Sequence, residues 1–562
     1  MLAVLVPFVS RAAPLLAQHA AMHGGSRVDS LIAPSARSIV PMIERPMIPG
    51  LVGARPAITP FVAGVGVPLA SLAAARPRRV IDAADGDTVD LDARLVRRSV
   101  AGRVFTAYAF DGGVTGPLIR MRQGATLFVR FSNHIDLPST IHWHGVRLDN
   151  ASDGAPGLTQ AAVAPGASVV YKVHAPDAGI FWYHDHVRED VALPLGLAGN
   201  LRVESARADY YSGANAEEVL MIGDILLDAH GPIAFGTEAA NFALMGRVGN
   251  VLLVNGAPSW ELRAGAGDVI RFLITNASSA RTFNLSFISR MGDAPIKLVA
   301  ADVGRFEREV MVPSVVIGPA QRYVAEVRFP RAGDYYLANR VQAVDHFLGE
   351  FIAATDTVGR VRVSTRRRGI DHGAAFRTLR SDSALETELA RFRPHFDRAP
   401  DHELALTTEI AGLPIPVMQF LSIDTAFRAP IEWTDGMSDM NWLATTREVR
   451  WILRDQATGE ENMDIQWRIG RGDVVKIRLF NDPRSLHPMS HPIHIHGQRF
   501  LVLARDGVRN DNLAWKDTEI VPVGSTVDIL VDASNPGRWM LHCHIAEHLQ
   551  AGMMMPFTVG AR

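Results

Sequence analysis

Gly537-Arg538-Trp539-Met540-Leu541-His542-Cys543-His544 holds the only cysteine in 562 residues, set between two histidines at its end. The run reads as a β-strand opened by glycine. Side chains alternate faces along a strand, so Cys543 points one way while His542 and His544 point the other. The chain continues Ile545-Ala546-Glu547-His548, and Met553 follows the cysteine by ten residues. One thiolate, the His548 imidazole, the Met553 thioether and a second imidazole from elsewhere, His491, form a ligand set suited to a copper ion that cycles between Cu(I) and Cu(II). A second metal site on the opposite face of this strand would be wired to the first through covalent bonds.

Ligands for that second site come in pairs. His142-Trp143-His144-Gly145, Trp182-Tyr183-His184-Asp185-His186, His491-Pro492-Ile493-His494-Ile495-His496-Gly497 and His542-Cys543-His544 each carry histidines spaced i, i+2. On a strand, that spacing puts both imidazoles on one face. Eight such imidazoles suffice for three copper ions at two or three nitrogens each, and His491 is left over for the thiolate site. Any one pair alone could equally hold zinc or nickel. His19, His23, His134, His174, His230, His346, His372, His395, His402 and His487 lack paired geometry and read as surface or capping residues.

HWHG, WYHDH, HPIHIHG and HCHIAEHLQAGM, two near the start of the globular region and two near its end, resemble the four copper-binding motifs of the multicopper oxidases, the laccase-like family, over residues 80–562. The resemblance implies an all-β fold of three tandem cupredoxin-like Greek-key β-sandwiches and four copper ions. The type 1 copper would be held by His491, Cys543 and His548 with Met553 axial. The type 2 copper would take His142 and His494. The type 3 pair would take His144, His184, His186, His496, His542 and His544. An axial thioether implies a low-to-medium potential. A reductant would give up single electrons through an exposed ring edge of His548, and four of them would reduce O2 to water. Asp153 matches an acid that the family places near the cluster, though Ser152-Asp153-Gly154 reads equally well as an ordinary turn. At Leu549 the chain departs from several bacterial relatives, which carry a glutamate in a proton relay there, so the resemblance does not supply the relay path.

Beyond residue 80 the chain repeats. Gly116–Asn133, Pro258–Asn276 and Trp467–Asn481 each read strand, glycine turn, alternating strand, asparagine stop. A second recurring element is Gly179–His186, Gly333–Arg340 and Gly537–His544, and three copies of one β-sandwich account for both. Where the first and third copies carry paired histidines, the middle copy has Ala338 and Arg340, so it is expected to be free of copper. The division is an extension over 1–79, disordered and containing a possible export signal, sandwiches over 80–205, 206–370 and 404–562, and a solvated connector over 371–403. The first and third sandwiches must then face each other around the cluster.

A net charge of −2 gives no electrostatic case for nucleic acid or an anionic membrane. The apolar runs at 1–17 and 61–75 fall short of the ~20 residues that cross a bilayer, so no span is expected; either could serve in export to the periplasm or outside the cell. Phenols and aromatic amines are the favoured reductants. The alternatives are Cu(I), Fe(II) or Mn(II), or bilirubin-like pigments. Met437 and Met440 are too few for the methionine-rich insert of cuprous oxidases and read as core packing. Nitrite reduction would not need the paired histidines, and a non-catalytic copper-binding scaffold would not need the full ligand set.

Overall fold

The computed structural model describes residues 51, 53–345, 350–366, 369–424, 433–434 and 438–561. Three pairs of twisted sheets lie within 80–204, 216–364 and 402–560, and the same strand order recurs in each. In the third pair one sheet runs Val449–Asp455, His402–Ile410, Asp473–Asn481, Thr526–Ala533, Arg499–Arg505, and the other runs Trp467–Gly470, Met554–Gly560, Gly537–Cys543, His491–Ile495, Thr518–Val521. The middle pair repeats both orders, and the first repeats their central parts. The fold is all-β and cupredoxin-like throughout.

Burial follows the alternation in sequence. On Thr126–His134, Leu127, Val129 and Phe131 face the core while Phe128 and Arg130 face outward. Val269–Asn276 is buried at every position. One face, Ile270, Phe272 and Ile274, fills the middle core, while Leu273 on the other packs with Leu118 and Ile180 of the first pair. A continuous apolar run therefore marks a strand covered on both sides.

The recurring asparagine does the same work three times. The Nδ2 of Asn133 donates to the Leu137 and Val163 carbonyls at 2.9 and 2.8 Å, that of Asn276 to Arg281 and Ile317 at 2.8 and 2.9 Å, and that of Asn481 to Met489 and Val521 at 2.7 and 2.9 Å. Each is buried and ties a loop back onto the strand. Asn481→Ala would orphan two carbonyls, and a loss of about 2–4 kcal/mol is expected in denaturant unfolding.

Two expectations need correction. Residues 1–50 lie outside the described residues, but 53–79 are not a loose extension. Pro60–Phe61 pairs with Phe235–Gly236, Ala63 is buried, and the amides of Ala75 and Arg76 donate to Arg97 and Gly112. The second apolar run thus wraps the first pair of sheets. The connector is not fully solvated either. Asp382 caps the helix Ser383–Leu389, and Leu385, Leu389 and Phe392 enter the first core beside Trp515. Among the described residues no helix is long and apolar enough to cross a membrane.

Candidate metal centres

Strand register builds both sites. Gly537–Cys543 pairs antiparallel with His491–Ile495, setting Ile493 opposite Cys543 and His494 opposite His542. His491 therefore shares a face with Cys543, while His494 and His496 share the other with His542 and His544. In the first pair, His142 lies opposite His184 and His144 opposite Trp182.

On one face, Cys543 Sγ is 3.6 Å from His491 Nδ1 and 3.7 Å from His548 Nδ1, and those two nitrogens are 3.3 Å apart. His548 Nε2 donates to the Leu244 carbonyl at 2.9 Å, which leaves the Nδ1 lone pair for the site. Met553 is fully buried and bonded through its backbone to Cys543 and His548. Burial, with His487 beside it, pushes the His491 imidazole down to about 3, so it is neutral at physiological pH. Burial also pushes the Cys543 thiol well up; a cation is needed to hold it as thiolate.

On the other face, ligand atoms of His144, His184 and His544 lie within 4.8 Å of one another, as do those of His186, His496 and His542, and those of His142, His144 and His494. Six of the eight paired imidazoles spend an outward nitrogen on a protein acceptor. His142 donates to the Asp153 carbonyl, His184 to that of Asp185, His494 to that of Asp517 and His542 to that of Cys543, all at 2.8–2.9 Å. His496 Nδ1 donates to Asp153 Oδ2 at 2.9 Å and His144 Nε2 to Asp517 Oδ1 at 3.0 Å. The inward nitrogens of His142, His144, His184 and His494 have no protein partner, and His496 Nε2 faces His542 Nε2 at 3.0 Å, lone pair to lone pair. Burial first, then mutual proximity, holds most of these imidazoles well below their usual range. Neutral imidazoles with lone pairs converging in a dry space fit a set of cations such as copper. All metal-capable groups found among the described residues use residues 142–186 and 491–548; Ala338 is buried core and Arg340 pairs with Asp293.

Every histidine expected as a ligand therefore lies in one of these two clusters, and Asp153 bridges His142 and His496 from the turn after Asn150–Ser152. Burial raises its carboxyl, but His496 and His142 more than offset this and hold it well below the usual range.

His548 departs from expectation: its ring has no exposed edge. Trp451 stacks on it at 4.1 Å, and the Leu244 carbonyl covers Nε2. Ala243, Leu244, Met245, Val417, Leu421 and Met440 pack in the same core, so Met440 is core packing as expected; Met437 lies outside the described residues. His487 is also fully buried, close to His491, and not a surface residue. His402 is half-buried and stacked on Trp467. His19, His23 and His346 lie outside the described residues.

Sequence reading missed two acids. Glu189 is buried with Oε1 3.4 Å from His186 Nε2, and Glu547 is buried between the two clusters in sequence. Burial pushes the Glu189 carboxyl well up, and burial, then Asp190, pushes Glu547 to about 8. Their position three residues after His186 and His544 was the available signal. Leu549 packs against Ala155 and Met540.

The fold and ligand chemistry agree with sequence and structure comparisons. Multicopper oxidase family models match residues 94–208 and 437–562. Laccase-1 of Cryptococcus neoformans var. neoformans serotype D is 24% identical over 80% of this chain and 77% of that protein. The crystal structure of a multicopper oxidase from Pseudomonas thermotolerans superposes with a TM-score of 0.60 at 25% identity, covering 85% of this chain and all of that one. That of a Campylobacter jejuni multicopper oxidase, described as a metallo-oxidase, gives 0.63 at 21% identity over 87% and 98%. With both ends of the chain matched by family models and the histidine clusters assembled between them, this protein is a member of the multicopper oxidase family, a copper-dependent oxidoreductase that passes electrons from a reductant to O2.

Proposed function

We propose that this protein is a laccase-like oxidase with four coppers that takes electrons from phenols or aromatic amines and delivers them to O2. The reading assigns His491, Cys543, His548 and Met553 to the type 1 ion, His142 and His494 to type 2, and His144, His184, His186, His496, His542 and His544 to the type 3 pair. Bound there, copper supplies one-electron chemistry at the thiolate and four-electron reduction of O2 at the imidazoles. The observation that carries it is the strand on which Cys543 and its two neighbours serve opposite faces.

The chain's own part is positioning. Cys543 is joined to His542 by the peptide bond and again by the hydrogen bond from His542 Nδ1 to the Cys543 carbonyl, at 2.9 Å. Asp153 Oδ2 orients His496, and its carbonyl orients His142. Two buried carboxyls stand near the paired histidines in sequence, Glu189 beside His186 and Glu547 three residues after His544, and burial pushes both upward, while residue 549 carries no acid. Because Trp451 and the Leu244 carbonyl cover His548, electrons from a donor would have to cross this layer to reach a metal held by His491, Cys543 and His548, without the donor touching the ring. Outer-sphere donation of that kind suits small aromatic reductants. Export to the periplasm or beyond is part of this reading.

A second reading is oxidation of Cu(I), Fe(II) or Mn(II), favoured by the metallo-oxidase among the structural relatives. Oxygen uptake by the copper-loaded chain separates the two. Phenols and aromatic amines are expected to outpace reduced metal ions and bilirubin; faster turnover of a metal ion would overturn the substrate class.

A further inference from the structure

The middle pair of sheets holds no metal-capable group among the described residues, yet it sends one side chain to the histidine cluster. Arg322 opens the strand Arg322–Arg328, and it is fully buried. A guanidinium has five N–H donors. Here five acceptors meet them, drawn from all three pairs of sheets. Nε donates to the Ile180 carbonyl at 3.2 Å, on the strand that carries His184. Nη1 donates to the Ala320 carbonyl at 3.2 Å and Asp517 Oδ1 at 2.6 Å, and Nη2 to the Asp302 carbonyl at 3.0 Å and Asp517 Oδ2 at 2.5 Å.

Asp517 is the other half of the device. Its Oδ1 accepts from His144 Nε2 at 3.0 Å, its carbonyl accepts from His494 Nδ1 at 2.9 Å, and Thr518 Oγ1 donates to Oδ1 at 2.9 Å. The bonds from these two histidines decide which nitrogen of each faces the cluster. Gly145, next to His144, supplies an independent constraint. Its φ is +81°, and a Cβ there would lie 2.4 Å from Asp517 Oδ2 and 2.5 Å from Arg322 Nη2. The glycine of the His142–Gly145 motif thus leaves room for the ion pair.

We infer that Arg322 is a positioning residue for the oxygen-reducing cluster: the middle sandwich, through the bidentate Arg322–Asp517 pair, fixes the orientation of His144 and His494 and hence the type 2 copper and the adjacent type 3 copper. The inference rests on the ligand assignment proposed above. A fork matched at both ends is what a lysine cannot reproduce, because an ammonium offers a point charge without the planar geometry.

The test uses the full chain loaded with copper, as parent, Arg322→Met, Arg322→Lys and Gly145→Ala. Four readouts apply: copper per chain, affinity by chelator competition, the blue thiolate absorption and the type 2 EPR signal. Arg322→Met and Gly145→Ala are expected to keep the blue absorption while the paired-histidine coppers bind about 10–100-fold more weakly, with the type 2 signal altered or lost. Arg322→Lys is expected to fall between these variants and the parent. A blue, folded Arg322→Met with the parent's type 2 spectrum and affinity would overturn the inference. If Arg322→Met fails to fold, Gly145→Ala decides the matter by the same readouts. A parent that binds no copper at the paired histidines would sink the ligand assignment instead.

Discussion

Cys543→Ser is expected to give a colourless protein whose oxygen uptake falls by at least about 10³-fold, equivalent to about 4 kcal/mol in the effective barrier. A hydroxyl is a hard oxygen donor and a poor match for Cu(I), whereas thiolate suits it. The serine would leave His491 and His548 in place, with Nδ1 atoms 3.3 Å apart, and leave the other face of the strand untouched. Copper at the paired histidines should therefore persist in metal analysis while electrons no longer reach it from the reductant. Retained turnover in the serine variant would show that electrons enter by another route and would remove the basis for the whole proposal.

Asp153→Ala should have the next largest effect, and on the opposite half of the reaction. Its carboxylate accepts from His496 Nδ1 at 2.9 Å and lies 3.3 Å from His142 Nδ1. Without it, His496 loses the partner that holds its Nε2 toward His542, and the cluster loses a buried negative charge. Oxygen turnover is expected to drop about 10²-fold or more, in line with the loss of an orienting partner plus a proton-handling group. The thiolate site lies on the opposite face of the strand and should be reduced by substrate under anaerobic conditions at the parent's rate. Stopped-flow reduction followed by reoxidation separates these halves. Slow reduction with normal reoxidation would contradict the role assigned to Asp153. Asp153→Asn, which keeps an acceptor oxygen but no charge, should retain more activity than the alanine.

The parts of the fold that were legible before the structure share one property: they are encoded by local period. Histidines spaced i, i+2 and the leftover His491 sort onto two faces by strand alternation alone, and the register of His491–Ile495 with Gly537–Cys543 bears this out. The asparagine stop was visible as punctuation, although its double bond to distant carbonyls was not. What escaped depends on contacts between distant segments. The cover over His548 is made by Leu244, 304 residues earlier, and by Trp451; an apolar residue in a strand reads as core wherever it ends up. Arg322 escaped for the same reason, because the motif histidines do not reveal what stands behind them. The connector was misread despite a signal. Leu385, Leu389 and Phe392 follow the i, i+4, i+7 spacing of a buried helical face, but the charges between them drew attention first.

The paired histidines come from distant parts of the chain, with 343 residues separating Asp153 from the His496 it orients. A ribosome-bound intermediate that has completed the first two sandwiches therefore carries four of the eight paired imidazoles and no thiolate. Such a fragment cannot assemble the complete set needed to carry dioxygen through to water. On the proposed ligand assignment, the full set of ligands can come together only after the strands that carry His491–His496 and His542–His544 have emerged from the ribosome.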